Sequence, residues 1–148
     1  MKKLLLVLLL LPLVSFGQSQ MLNGIEVNAP LGFKKTGNLE WEKDDDIIIV
    51  SSIKQIWSDS DIKKGISQET RGSSFIKFFE LEINGINHFI ALNRGKNGYS
   101  ILMTGVKKNE RIYFVTVGIN PENYLSQKKA FDEGMQHISY MIARLLVF

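Results

Sequence analysis

The sequence predicts an α+β fold: an antiparallel β-sheet meander covered by helices on both faces, an α/β/α sandwich. Three observations predict it. Residues 75–119 hold four strand-like runs laid end to end, with only short turns between them. Residues 121–145 carry one apolar stripe at helical spacing. The meander strands carry apolar residues in both phases, whereas a sheet with one wet face alternates cleanly.

The chain opens on Met1-Lys2-Lys3, followed by an apolar run over residues 4–14 broken only by Pro12. Ser15 and Gly17 then supply small residues at the −3 and −1 positions of a cleavage site. This is the pattern of a secretory signal peptide over residues 1–17, cut after Gly17. The apolar run is shorter than the about 20 residues that a membrane span requires, so no transmembrane anchor is expected after cleavage. The chain has no cysteine, which excludes lipid attachment through Cys and any disulfide framework. Export to the periplasm or the exterior is expected, with residues 18–148 as a single domain. That length buries roughly two thirds of its unfolded surface, enough for a core without staples. Cleavage removes Lys2 and Lys3 and leaves sixteen Lys and Arg against fifteen Asp and Glu. These charges are interspersed, so nucleic acid, which requires a clustered basic surface, is not an expected partner.

Residues 18–21 are polar and without period, and residues 23–27 read as a first short strand. Pro30 ends it, because it fixes φ and holds the residue before it extended. Residues 38–42 alternate, with Leu39 and Trp41 on one face. Lys43-Asp44-Asp45-Asp46 makes a turn, and the β-branched run 47–53 returns. Asp59 or Ser60 caps a helix over residues 61–69 with Ile62 and Ile66 as a thin stripe. Gly65 weakens that helix by about 1 kcal/mol relative to Ala.

The meander follows. Its first two runs, 75–83 and 86–92, are joined by Asn84-Gly85, which both accept the positive φ of a primed two-residue turn. Residues 95–98 turn into the run 99–106, and residues 107–110 turn into 112–119. Asn120-Pro121-Glu122 supplies a cap, a pre-set first position and a favourable acid for the closing helix. Its stripe is Phe131, Met135, Ile138, Met141, Ile142 and Leu145. This helix is the expected cover of one face. The 61–69 helix and the N-terminal segment are the available cover for the other.

With these elements in order, the chain resembles the PsbP-like superfamily, including its small exported bacterial PsbP-like and DcrB-like members. The residues that carry the resemblance are Ala29-Pro30-Leu31-Gly32-Phe33, Trp41, the strand at 47–51, Tyr113 to Val117 in the meander, and 131–142 in the last helix. The resemblance spans about residues 23–145 and is architectural rather than catalytic. It implies an α/β/α sandwich with a scaffolding or partner-binding role, usually without enzymatic activity. Many bacterial members carry a lipid-attachment Cys that this chain lacks.

The residues themselves offer little chemistry. His88 is in phase with Ile86 and Ile90 and reads as a structural histidine on a covered face. His137 reads as a boundary residue beside the helical stripe. Glu80 and Glu82 share a strand face, but no cleft is implied that would pair them as acid and base. Asp44-Asp45-Asp46 lacks the alternating ligands, Gly turn and closing Glu of a calcium loop and reads as a solvated tip. Asp59-Ser60-Asp61 starts like such a loop, then gives Lys63 and Lys64 where ligands belong. Gly98-Tyr99-Ser100 lacks the second Gly and the strand-to-helix context of a nucleophile elbow. No catalytic, metal or cofactor-binding residue is assigned, and no cofactor is expected. Trp57 is the one residue singled out for partner contact. It lies on a loop between a strong strand and a helix, and Trp is enriched among residues that dominate binding energy. A lid over the sheet is its competing role.

The expected function is therefore an exported, non-enzymatic interaction or scaffolding module binding an envelope protein. The alternative is a small hydrophobic-ligand binder with a pocket between sheet and helix. A hydrolase is disfavoured, because no nucleophile–base constellation stands out. The leader makes a direct prediction: the intact mass of the exported protein lacks residues 1–17 and begins at Gln18. A full-length, membrane-anchored chain would overturn this.

Overall fold

The computed structural model describes residues 19–68 and 73–146. The leader expected at 1–17 and the expected helix end at residue 69 lie outside them. At the centre of the molecule Leu102, Thr104 and Val106 stand opposite Val117, Val115 and Tyr113 across two antiparallel strands. All six are buried.

The strands run in chain order. β1 (Ser19–Leu22) and β2 (Ile25–Asn28) form a separate hairpin. β3 (Lys34–Gly37), β4 (Glu40–Lys43), β5 (Asp46–Ile53), β6 (Ser74–Ile83), β7 (Ile86–Arg94), β8 (Ser100–Lys108) and β9 (Arg111–Ile119) form one sheet. Its order is β3-β4-β5-β9-β8-β7-β6, and every pairing is antiparallel. The two helices are α1 (Asp59–Ser67) and α2 (Gln127–Leu146). Among the described residues no helix is long and apolar enough to cross a membrane.

The fold is α+β, as expected, but the sheet is not flanked by helix layers on both faces. α2 covers one face, packing Ala130, Ile138, Met141, Ile142 and Leu145 against Leu102, Val106, Val115, Val117 and Ile119. On the other face, among the described residues, sits only the nine-residue α1. It has two buried apolar side chains, Ile62 and Ile66, enough to seat it near Ala91 and Ile112 and no further. Toward β5 that face lies open, and Ile49 is 40% exposed. The N-terminal segment does not help to cover it. Ile25, Val27, Ala29 and Phe33 belong to the same cluster as α2.

Other boundaries also differ from expectation. Residues 19–21, within the stretch read as aperiodic, belong to β1, which pairs with β2 around Asn23-Gly24, whose φ values of 52° and 80° make the same kind of primed turn as Asn84-Gly85. β3 pairs with β4 although its side chains are mostly exposed and leave no periodic signal. Ser58, not Asp59 or Ser60, caps α1: Asp61 N–H donates to Ser58 Oγ at 3.1 Å, and Ser58 N–H donates back to Asp61 Oδ2 at 3.0 Å. Asn120-Pro121-Glu122 opens only a short 3-10 turn, Pro121–Asn123. α2 starts after Ser126, whose Oγ accepts from Lys129 N–H at 3.1 Å.

The α2 stripe keeps Ile138, Met141, Ile142 and Leu145 of the expected set fully buried and differs only toward its N-terminal half. Met135 and Phe131 are only partly buried, while Ala130, Gly134 and His137 are inside. Ile138 is in both versions of the stripe and is fully buried. Ile138→Asp should unfold the domain in a denaturant titration, since an unpaired buried charge costs about 3–5 kcal/mol. The exposed Lys129→Asp should stay within about 0.5 kcal/mol of wild type. Equal, small losses from both would contradict this docking.

Candidate functional site

β5 spans the sheet and carries a distinct constellation at each end. At its start, Asp46 belongs to the inward phase with Ile48 and Val50 and is buried. The expected solvated tip is therefore only Asp44 and Asp45, which turn with φ of 50° and 71°. Asp46 accepts from Asn120 N–H at 2.9 Å and from the Tyr124 hydroxyl at 2.5 Å. Burial pushes its carboxyl above the usual aspartate range, against the pull of those two bonds. The Tyr124 phenol is held well above its own ordinary value by burial and by Asp46.

His137, expected at the boundary, is buried nearby. Phe33 meets its ring edge-on at a centroid distance of 4.9 Å. Its Nε2 lies 3.4 Å from Glu133 Oε1. Burial lowers its pKa, partly offset by Glu133 and Asp46. These groups tie the start of α2 to the β4–β5 turn. Asn123 adds a bond to the Asp44 carbonyl. The cluster is engaged with itself.

At the other end of β5, Lys54 to Ser58 lead into α1. Trp57 is half-buried: its ring meets Phe114 edge-on at 5.8 Å and packs into the cluster of Ile62, Ile66, Ala91 and Ile112. Gly65 explains itself here, since a Cβ at that position would lie 2.9 Å from Trp57 Cζ3. The glycine that weakens the helix also admits the indole beside it. Ile56 points the other way and is 86% exposed. Ile56 and Trp57 line a groove of about 320 Å³ whose far wall is the β8–β9 turn, with Lys107, Lys108, Glu110 and Arg111. Lys107 also reaches Asp59 at 2.7 Å, an exposed pair. Lys108 Nζ donates to the Leu145 carbonyl at 2.9 Å and closes the end of α2.

The remaining sequence candidates are scattered. Glu80 and Glu82 stand exposed on β6, the sheet edge. His88 is buried on β7, far along the sheet from Asp46. Asp61 serves the α1 cap. The α2 methionines pack inward or at the core margin. Among the described residues no group of three or more His, Cys, Asp and Glu side chains could hold a metal ion.

Sequence reasoning missed the exposed Ile56, Asp46 and the buried role of His137. Two of these carried a signal: counting back by twos from Val50 places Asp46 inside, and His137 lies four residues before the buried Met141. No protein-family model matches the chain, and no curated protein matches it.

The buried histidines predict a pH response. Burial depresses both His88 and His137 below the ordinary 6.5. Stability from keeping them neutral is therefore complete above 6.5 and lost as pH falls through the folded values. Asp46, raised above 3.8, acts with the opposite sign: its contribution is complete below 3.8 and lost as pH rises. The thermal midpoint should fall between about pH 7.5 and 5.5, and replacing both histidines with Gln should flatten that fall. An unchanged slope in the double variant would place the response elsewhere.

Proposed function

We propose that the chain is an exported, non-enzymatic interaction module that docks an acidic protein partner of the cell envelope. The docking surface is the end of the sheet formed by Ile56, Trp57 and the β8–β9 turn. The observation that carries this reading is the exposure of Ile56, a large aliphatic side chain standing on a groove rimmed by cations.

An apolar anchor within a charged rim suits protein recognition, because burial of the anchor supplies affinity and the rim supplies orientation. Lys107, Lys108 and Arg111 outnumber Glu110 in the groove wall, so the partner's matching surface is acidic. Trp57 contributes its outer edge while its inner edge stays packed on Phe114. The PsbP-like resemblance supports a partner-binding role of the same kind. A non-enzymatic role fits the polar cluster at Asp46, whose groups are spent on holding α2 in place.

Capture experiments from the cell envelope test the surface. Ile56→Asp and Arg111→Glu should each abolish recovery of the same acidic protein, with thermal midpoints unchanged. Raised salt should weaken that recovery, as it screens a charged rim. Trp57→Ala should lose the partner and also cost about 2 kcal/mol, less than a fully buried indole. Recovery that survives both Ile56→Asp and Arg111→Glu would remove this surface. Loss of binding to anionic vesicles, rather than to a protein, would reassign it to the membrane face.

A further inference from the structure

The sheet is forked between its β7 and β8 strands. Their pairing stops at Ile90↔Thr104. Each strand nevertheless keeps its outer partner to the end, β7 with β6 as far as Ile83↔Ile86 and β8 with β9 as far as Lys108↔Arg111. Residues 86–89 and 105–108 therefore face one another across a gap. At its apex a side chain replaces the ladder, with Thr104 Oγ1 donating to the Phe89 carbonyl at 2.9 Å.

The gap holds a cavity of about 470 Å³. Ile62 of α1 and Leu146 of α2 both line it, so it runs through the plane of the sheet. Gly105 lets α1 sit at the fork: a Cβ there would lie 2.7 Å from Ile62 Cγ2. The volume is that of a small-molecule site, and the lining combines apolar walls with a few polar groups.

The polar groups define the ligand. His88 lines the cavity, is only 6% exposed, and its Nε2 has no hydrogen-bond partner. Residues in a β-strand aim their backbone groups alternately at each neighbour, so the unpaired stretches also aim N–H groups into the gap. Lys107 contributes a cation at the rim. Its present partner Asp59 is 72% exposed, so releasing it to water costs little.

We propose that this fork binds a small carboxylic acid with an apolar body, of the medium-chain fatty-acid class. The carboxyl head lies in the gap itself, reached by His88 from the face that α2 covers and by Lys107 from the α1 face, and the chain lies against Ile62 and Phe89. The neutral imidazole and the ammonium both serve as donors to the head, and the head gives His88 the partner it lacks. The site shares Lys107 with the groove at Ile56 but is otherwise lined by different residues, and it does not depend on that surface being a partner site.

Calorimetric titration of the protein with dodecanoate, below its micellar concentration, tests the site. One-to-one saturable binding is expected, with dodecanol at least tenfold weaker. His88→Phe and Lys107→Met should each weaken dodecanoate at least tenfold, and Asp59→Asn should tighten it by freeing Lys107. In the wild-type protein the His88 ring resonances should shift on titration, a readout that needs no variant to fold. Absence of saturable binding would overturn the proposal. So would equal affinity for dodecanol and dodecanoate, or dodecanoate binding that leaves the His88 resonances unmoved.

Discussion

The close approach of α2 to the sheet at Gly134 is the constraint on which the rest of the structure depends. A Cβ there would lie 2.8 Å from Leu102 Cδ1 and 3.0 Å from Ile119 Cγ1. The helix backbone therefore rests directly on the side chains of Leu102 in β8 and Ile119 in β9. That depth brings Ala130, Ile138, Met141 and Ile142 into full burial on either side of the glycine. It also leaves a long helix edge against which the β1–β2 hairpin and Phe33 close. With no cysteine in the chain, this one cluster supplies the cohesion that disulfides supply in many exported domains of similar size.

Such depth requires the helix to be held at the right height and azimuth. The Asp46 cluster does this at one end and Lys108 at the other. Asp46 receives Asn120 and Tyr124, which lie on the connection from β9 to α2, and so sets where the helix may begin. Lys108 Nζ donates to the carbonyl of Leu145 in the last described turn of the helix, where intrahelical donors run out. A carboxylate kept inside is costly, and its raised pKa records that cost. Burial of the surrounding apolar side chains offsets it, and the reward is a fixed register between helix and strands.

The meander was legible because its turns announce themselves. Asn84-Gly85 has one economical conformation, and the β-branched runs beside it have few others. The part of the α2 stripe made by small side chains was not legible, for an instructive reason. Hydrophobic periodicity weights the large side chains Phe131 and Met135, yet the face of closest approach is marked by Ala130 and Gly134, where absence of bulk is the signal. β3 escaped because an exposed strand of Lys and Thr owes its shape to its neighbour β4 rather than to its own pattern. Of the candidate sites, Trp57 was legible as a loop aromatic, but its division between Phe114 and the groove required Gly65 to be seen in space. The β7–β8 fork left no mark except Gly105, since residues on either side of it are ordinary strand formers.

The two faces of the sheet are therefore unequal in what they can spend on stability. The α2 face is deep, continuous and pinned at both ends. The α1 face rests on two isoleucines, an indole and a loose cluster of partly buried aromatics. Regions with few buried apolar contacts open at lower free energy than the core around them. Ile56, Trp57 and the β7–β8 fork all lie on or beside that weaker layer. A ligand or partner that covers the exposed Ile56, or completes the unpaired strands, would gain most where the chain alone has bound itself least.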